Sequence, residues 1–327
     1  MSEVRALVTG AAGFIGQHCV RYLAARGWRV SALDVHAPTI PVPAGVQFQV
    51  VDLCDRAKLA RALAGNEVVI NLASVHLDVG ASEEKFAAVN IRAVGQLVEL
   101  CAAAGVRRLV HVSSVGVYGH VAQPPAAEDA PLNPINTYER TKRAGEAAAR
   151  AAAAQHGVDL IIVRPSWVYG AGCPRTEKLV GALRRGRFFY IGPAKNLRHP
   201  IYIDDFLAGV VLAATAGPEV SGKTFNLAGP EWLPLEQMVN TFAAAVGAPA
   251  PHRRIPRWLG LSLGWTAELA GKLLRIDPPI SRRTLAFFEN DNAFDISAAR
   301  RLLGFDPHTD LQSGVRRSLA AAGSQPA

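Results

Sequence analysis

The chain has 327 residues, half of them hydrophobic, and a net charge of +8; that length holds one large α/β unit or two domains around a substantial core. No stretch reaches the roughly 18 uninterrupted apolar residues of a membrane span. Its basic residues stand in scattered pairs such as Arg107–Arg108 and Arg184–Arg185, a spread that favours small anionic ligands over nucleic acid.

Taken in chain order, apolar β-branched runs predict strands over 4–8, 28–33, 46–51, 67–72, 108–113 and 159–164. Helical spacing predicts helices over 16–26, 56–64, 82–104 and 138–156. Strand and helix alternating in this way predict a doubly wound parallel sheet covered on both faces, a Rossmann-type α/β fold. After about residue 165 the alternation gives way to segments punctuated by Pro and Gly, "YGAGCP", "IGPAKN" and "LAGPEWLP" among them. The expected division is a dinucleotide-binding part over 1–170 and a smaller, mostly helical substrate lobe over 171–327, with 200–228 returning to the sheet. The first strand begins at Val4, which leaves no room for a signal peptide, so a cytoplasmic protein is expected. Cys19, Cys54, Cys101 and Cys173 lie far apart, with no CxxC and no Cys/His cluster. They are expected to be reduced thiols, mostly in the core, and no metal site is expected.

The chemistry starts in "VTGAAGFIGQHCV". Gly10, Gly13 and Gly16 stand between the first strand and the first helix, where bare backbone lets a pyrophosphate approach the free amides and positive dipole of the helix N-terminus. Asp34, at the end of the second strand, is the acidic residue expected about 20 positions on to bind the adenosine ribose hydroxyls. With Val35 and His36 following it instead of an arginine, NAD is expected in preference to NADP.

Over nearly its whole length the sequence resembles the extended short-chain dehydrogenase/reductase family, which holds nucleotide-sugar epimerases, dehydratases and 3β-hydroxysteroid dehydrogenases. "TGAAGFIG" is similar to that family's TGxxGxxG fingerprint and adds Phe14 and Ile15 to the cofactor residues. The resemblance places Asp52 and Leu53 at the adenine. It sets Leu72, Ala73 and Ser74 of "NLAS" beside the cofactor, with Asn90 at the position of an active-site asparagine. It also implies a catalytic set: Ser114, four residues before Tyr118, with Tyr138 and Lys142 of "YERTK". Positions i and i+4 share a helical face, so the ammonium can stand beside the phenol. Lys142 and the positive nicotinamide would favour the phenolate, bringing Tyr138 toward the working range as a proton-transfer group. Tyr118 is read as packing only.

Dehydratases of the family carry an Asp-Glu pair just after the catalytic hydroxyl, and related decarboxylases carry a Glu. Val115 and Gly116 stand there instead, which argues against both activities and leaves oxidation, reduction or epimerisation at a secondary alcohol. "RPSWVYGAG" and "NLRHPIYIDDF" look like segments of sugar-nucleotide enzymes and imply Ser166 and Arg198 as substrate contacts, Arg198 on a diphosphate. The competing use for Arg198 is an ion pair with Asp204 or Asp205. The longer stretch "RWLGLSLGWTAELAGKLL", with Trp258 and Trp265, resembles the 3β-hydroxysteroid dehydrogenase branch and suits core, a dimer face, an apolar pocket wall or a membrane surface. The family's arginine loop before "FDIS" is not recognisable unless Arg282 or Arg283 replaces it. The expected ligands are NAD and a small molecule, foremost a nucleotide-diphosphate sugar acted on by a 4-epimerase or 4-ketoreductase. The alternatives are an apolar alcohol or a non-catalytic dinucleotide sensor; a homodimer is also expected.

Overall fold

The computed structural model describes residues 4–76, 81–260, 262 and 287–323. Seven parallel strands form its main sheet in the order β11-β6-β5-β4-β1-β2-β3: β1 (Arg5–Thr9), β2 (Arg29–Asp34), β3 (Gln47–Val50), β4 (Val68–Asn71), β5 (Arg108–Val112), β6 (Leu160–Pro165) and β11 (Thr224–Leu227). The inner strands β4, β5 and β6 are buried at every residue, which is why they read as continuous apolar runs rather than alternating ones.

Each face of the sheet has its own core. On one side Val8, Ile70, Val110 and Val163 pack with α1 (Phe14–Ala24) and α7 (Ile203–Thr215). On the other, Leu7, Val69, Leu109 and Ile162 meet Leu59 of α2 (Arg56–Leu63), Leu97 of α4 (Ala93–Ala103) and Ala149 of α5 (Thr137–His156). The helix expected over 82–104 differs in one respect. Between α3 (Glu83–Ala87) and α4 the chain makes a π turn over Ala88–Arg92, and Asn90 lies within it. Residues Glu83–Ala103 are apolar enough to satisfy a membrane-span criterion, but the cause is visible: Val94, Leu97, Val98 and Cys101 are buried under the sheet.

Beyond β6 the chain builds small pairs and helices around the C-terminal edge of the sheet. β7 (Trp167–Tyr169) pairs with β10 (Pro200–Tyr202), β8 (Tyr190–Ile191) with β13 (Arg254–Ile255), and β9 (Leu197–Arg198) with β12 (Leu233–Pro234). The helices are α6 (Pro174–Arg184), α8 (Leu235–Ala245), α9 (Ser297–Leu303) and α10 (Leu311–Gly323). Of the expected thiols, Cys19, Cys101 and Cys173 are buried and Cys54 is exposed, all of them free. Trp258 is exposed; Trp265, Arg282 and Arg283 lie outside the described residues.

Candidate active site

A cavity of about 640 Å³ opens where the connections from β1 and β4 depart to opposite faces of the sheet, with Gly10, Gly13, Phe14, Ile15, Gly16, Leu72, Ser74, Ser114, Tyr138, Lys142, Ser166 and Arg198 on its wall. A switch point at the carboxyl ends of parallel strands is where such sheets bind ligands. The three glycines have different reasons to be there. A Cβ on Gly10, which is at φ +69°, would stand 2.7 Å from Ala73 N, and one on Gly16 would stand 2.0 Å from Gly10 O. Those two permit the tight turn and the close packing of the β4 loop on α1. A Cβ on Gly13 would meet nothing nearer than Gly10 O at 3.4 Å, so the fold itself tolerates a side chain there. What it would obstruct is the cavity, at the N-terminus of α1. The cradle therefore fits a dinucleotide pyrophosphate, as the chemistry of anion binding at a helix start requires.

Asp34 ends β2 with one carboxylate oxygen accepting from Ala12 N–H and the other from His36 N–H, both at 3.0 Å. It thereby ties the glycine loop to the second strand, at the place a ribose edge would occupy. Val51 N–H donates to the Asp34 carbonyl, which sets exposed Asp52 beside it, while Leu53 is buried in the second core. Asp34, Asp52, Leu53 and Ala73 are not on the cavity wall.

Nor is Asn90. Its Oδ1 accepts from Val75 N–H at 2.9 Å and Ser74 Oγ at 3.1 Å, and its Nδ2 donates to Val75 O and to Thr141 Oγ1. The extra residue of the π turn turns this amide inward, so Asn90 acts by fixing the 74–75 loop against α5. Gly145 of α5 makes the approach possible: a Cβ there would stand 2.2 Å from Asn90 O.

Ser114, Tyr138 and Lys142, the candidates for catalysis, all line the same cavity. Ser114 follows β5 and accepts from Gly116 N–H at 3.0 Å. Asn136 caps α5 by accepting from Glu139 N–H, and Glu139 Oε2 reaches back past the cap to accept from Ile135 N–H at 2.8 Å, a variant of the capping box shifted by one residue. That fixes the helix start, and with it Tyr138 and, one turn on, Lys142. Lys142 Nζ is buried and donates to Val112 O at 2.7 Å. Burial pushes its ammonium down to about 8, against the pull of Glu146. His111 is held neutral, well below the usual imidazole range, by burial and then by the Lys142 charge. Its Nδ1 faces Asn71 Nδ2 at 3.0 Å, and Asn71 Oδ1 accepts from Thr9 Oγ1; this row crosses β5, β4 and β1 beneath the cavity floor.

Several wall residues carried no strong sequence signal. His76 packs against the Tyr138 ring, centroids 4.3 Å apart and planes tilted by 57°. Glu139 lines the cavity and fills the space above Gly116, where a Cβ would stand 2.9 Å from Glu139 Cγ; a carboxylate thus approaches Ser114 from α5 although Val115 and Gly116 supply none. Arg198, 5% exposed, lies with Arg175, Trp167, His199, Phe287 and Asn292 on the wall formed by the second half of the chain. With its amide turned to satisfy both ends, Asn292 donates to Asp291 O at 3.1 Å and accepts from Arg198. The alternative partner Asp205 is buried on Thr309, accepting from its N–H at 2.8 Å and its Oγ1 at 3.1 Å. Tyr118 is a core residue, its hydroxyl donating to Asn226 and accepting from Arg164, both at 2.8 Å.

A doubly wound sheet with this cradle and a Ser-Tyr-Lys set on one cavity defines a dinucleotide-dependent oxidoreductase. The family model described as NAD dependent epimerase/dehydratase family matches residues 6–228, and the chain belongs to that family. It is 28% identical to the decarboxylating sterol-4-alpha-carboxylate 3-dehydrogenase of Mus musculus, over 95% of this chain and 89% of that one. It is 30% identical to the dTDP-glucose 4,6-dehydratase of Streptomyces griseus, over 96% and 92%. Among solved structures, the dTDP-glucose 4,6-dehydratase of Streptomyces venezuelae with NAD and TYD bound superposes with a TM-score of 0.79 at 25% identity, covering 97% of this chain and 96% of that one. The protein is an NAD-dependent enzyme of the extended short-chain dehydrogenase/reductase type, acting by hydride transfer at a secondary alcohol or ketone of a small molecule.

Proposed function

We propose that the substrate is a nucleotide-diphosphate sugar and that the reaction is oxidoreduction at its C4 position, as a 4-epimerase or 4-ketoreductase. The observation that carries this reading is Arg198: a guanidinium, nine-tenths buried, on the wall of the same cavity as Ser114, Tyr138 and Lys142. A cation buried at that cost suits an anionic part of the ligand. The chemistry NAD supplies when bound is hydride acceptance and return at the alcohol carbon. Ser114 Oγ orients the substrate oxygen by hydrogen bonding, and Tyr138 takes the hydroxyl proton or gives it back. The Lys142 ammonium, on the next turn of α5, favours the phenolate form of Tyr138 by its charge.

A second reading, oxidation of an apolar alcohol, draws on the aromatic residues Trp167, Phe287 and Phe294 of the same cavity and on the sterol-converting relatives. Thermal-shift titration of the NAD-saturated protein with UDP-, dTDP- and GDP-sugars and with sterols separates the two. Stabilisation by one or more nucleotide sugars is expected, and stabilisation by sterols alone would transfer the assignment to the second reading. For a sugar that binds, product analysis decides the reaction: a C4 epimer formed without net NADH marks the epimerase.

A further inference from the structure

We infer that Arg175 is a second substrate-binding cation, closing from the cavity mouth over the anion that Arg198 holds in its depth, so that the site selects ligands with two adjacent phosphates. The inference rests on the nucleotide-sugar reading above and adds to it a residue and a selectivity. Arg175 lies in the first turn of α6, whose cap residue Cys173 makes no capping side-chain hydrogen bond, its thiol donating to Val168 O instead. Cys173, Pro174 and Arg175 all line the cavity, which brings the positive end of an eleven-residue helix to the same wall.

The two arginines share an aromatic ring. The Arg198 guanidinium lies 4.5 Å from the Phe287 ring centroid and that of Arg175 5.3 Å from it; Arg175 is also 4.8 Å from the Trp167 ring. They are close enough to feel each other: burial first, and then the Arg175 charge, push Arg198 down to about 9, against the pull of Asp291. Two like charges on one wall repel each other, and an anion held between them relieves that repulsion.

Donors for such an anion are already in place. Ser166 and Trp167 both line the cavity, and their Oγ and Nε1 atoms are buried beside it without hydrogen-bond partners. Buried hydroxyls and indole N–H groups are ordinarily satisfied, so this pair marks a place for acceptor oxygens. Depth separates the roles: Arg198 is buried while Arg175 is exposed. One phosphate reaches the deep arginine, and only a second brings the outer one into use.

The test is calorimetric titration of the NAD-saturated protein with UDP, UMP and inorganic pyrophosphate, on wild type, Arg175→Met, Arg175→Lys and Arg198→Met. Wild type should bind UDP at least about tenfold more tightly than UMP. Arg175→Met should erase most of that preference while changing UMP affinity little, Arg175→Lys should keep part of it, and Arg198→Met should weaken both nucleotides. Unchanged NAD affinity in each variant shows that the fold is intact. An Arg175→Met protein that still prefers UDP as wild type does would overturn the role of Arg175 and leave the nucleotide-sugar reading standing. A wild type that binds none of the three probes would overturn both.

Discussion

Tyr138→Phe keeps the ring that packs against His76 and removes only the oxygen proposed to move the proton. Turnover should fall by at least about 10²–10⁴ with NAD affinity near wild type, as steady-state rates and an NAD titration would show; retention of most activity would remove Tyr138 from the mechanism. The glycines separate in the same way. Gly16→Ala forces a contact on Gly10 O and should cost stability, whereas Gly13→Ala should leave the melting temperature nearly unchanged and weaken NAD binding, because only the ligand competes for that space. Lys142 gives a pH signature. Its ammonium is disfavoured in the fold, where it titrates near 8, compared with the ordinary 10.5. The penalty is therefore fully present below about pH 8 and is relieved as pH rises toward 10.5, because there the unfolded chain binds the proton and the folded one does not. Relative to Lys142→Met, the wild-type apoprotein should gain up to about 3 kcal/mol over that interval in urea titrations. A pH-independent difference would contradict the assigned burial.

At the scale of elements, α5 is anchored by a polar assembly rather than by apolar contact alone. Glu146 of α5 accepts from Arg164 Nε and Nη2 of β6 at 2.9 and 2.7 Å, and both side chains are 5% exposed. Arg164 continues to Tyr118 and the Glu128 carbonyl, while Asn226 of β11 receives the Tyr118 hydroxyl and donates to Ala126 O and Asp295 O. Removing one charge of such a pair leaves the other buried and uncompensated, so Glu146→Gln should destabilise the protein by about 3–5 kcal/mol. It also removes the attraction that supports the Lys142 charge, so the loss should be accompanied by a lower pKa for that lysine. Urea denaturation across pH checks both, and a change below about 1 kcal/mol would mean that the pair is open to solvent.

At the scale of the molecule, the sheet and the C-terminal segment interlock. Ala126 N–H donates to Ala293 O and Asp295 N–H to Ala126 O, His199 Nδ1 accepts from Phe294 N–H, and Asp205 of α7 holds Thr309. Gly209 of α7 packs against Leu227 and Phe305. Across the boundary expected near residue 170 run the bonds of Ala126 with Ala293 and Asp295, Tyr118 with Asn226 and Arg108 with Ala213, so the apoprotein should unfold in a single calorimetric transition, which NAD at a hundred times its Kd should raise by about 2.7 kcal/mol of stability. Two resolved transitions would show that residues 171–327 fold as an independent unit.

The sequence by itself determined the doubly wound sheet and the glycine cradle, because each is written in local periodicity or fixed spacing, while Ser114, Tyr138 and Lys142 came from its resemblance to a family. The strand and helix bounds expected from those patterns agree with the structure to within a few residues. Tertiary structure alone decided what depends on depth and on distant partners. The pattern at 82–104 reads as one helix, since a π turn leaves the apolar stripe nearly unchanged; only packing against Thr141 and Val75 shows that Asn90 holds the loop and stays off the cavity wall. Val115 and Gly116 show that no acid follows Ser114 in the chain, but not that Glu139 enters the space from the neighbouring helix. Arg175, Trp167 and Phe287 are separated by up to 120 positions and meet because β7, α6 and the segment before α9 close on one cavity. Linear spacing does not carry that convergence, which follows from burying both faces of one sheet.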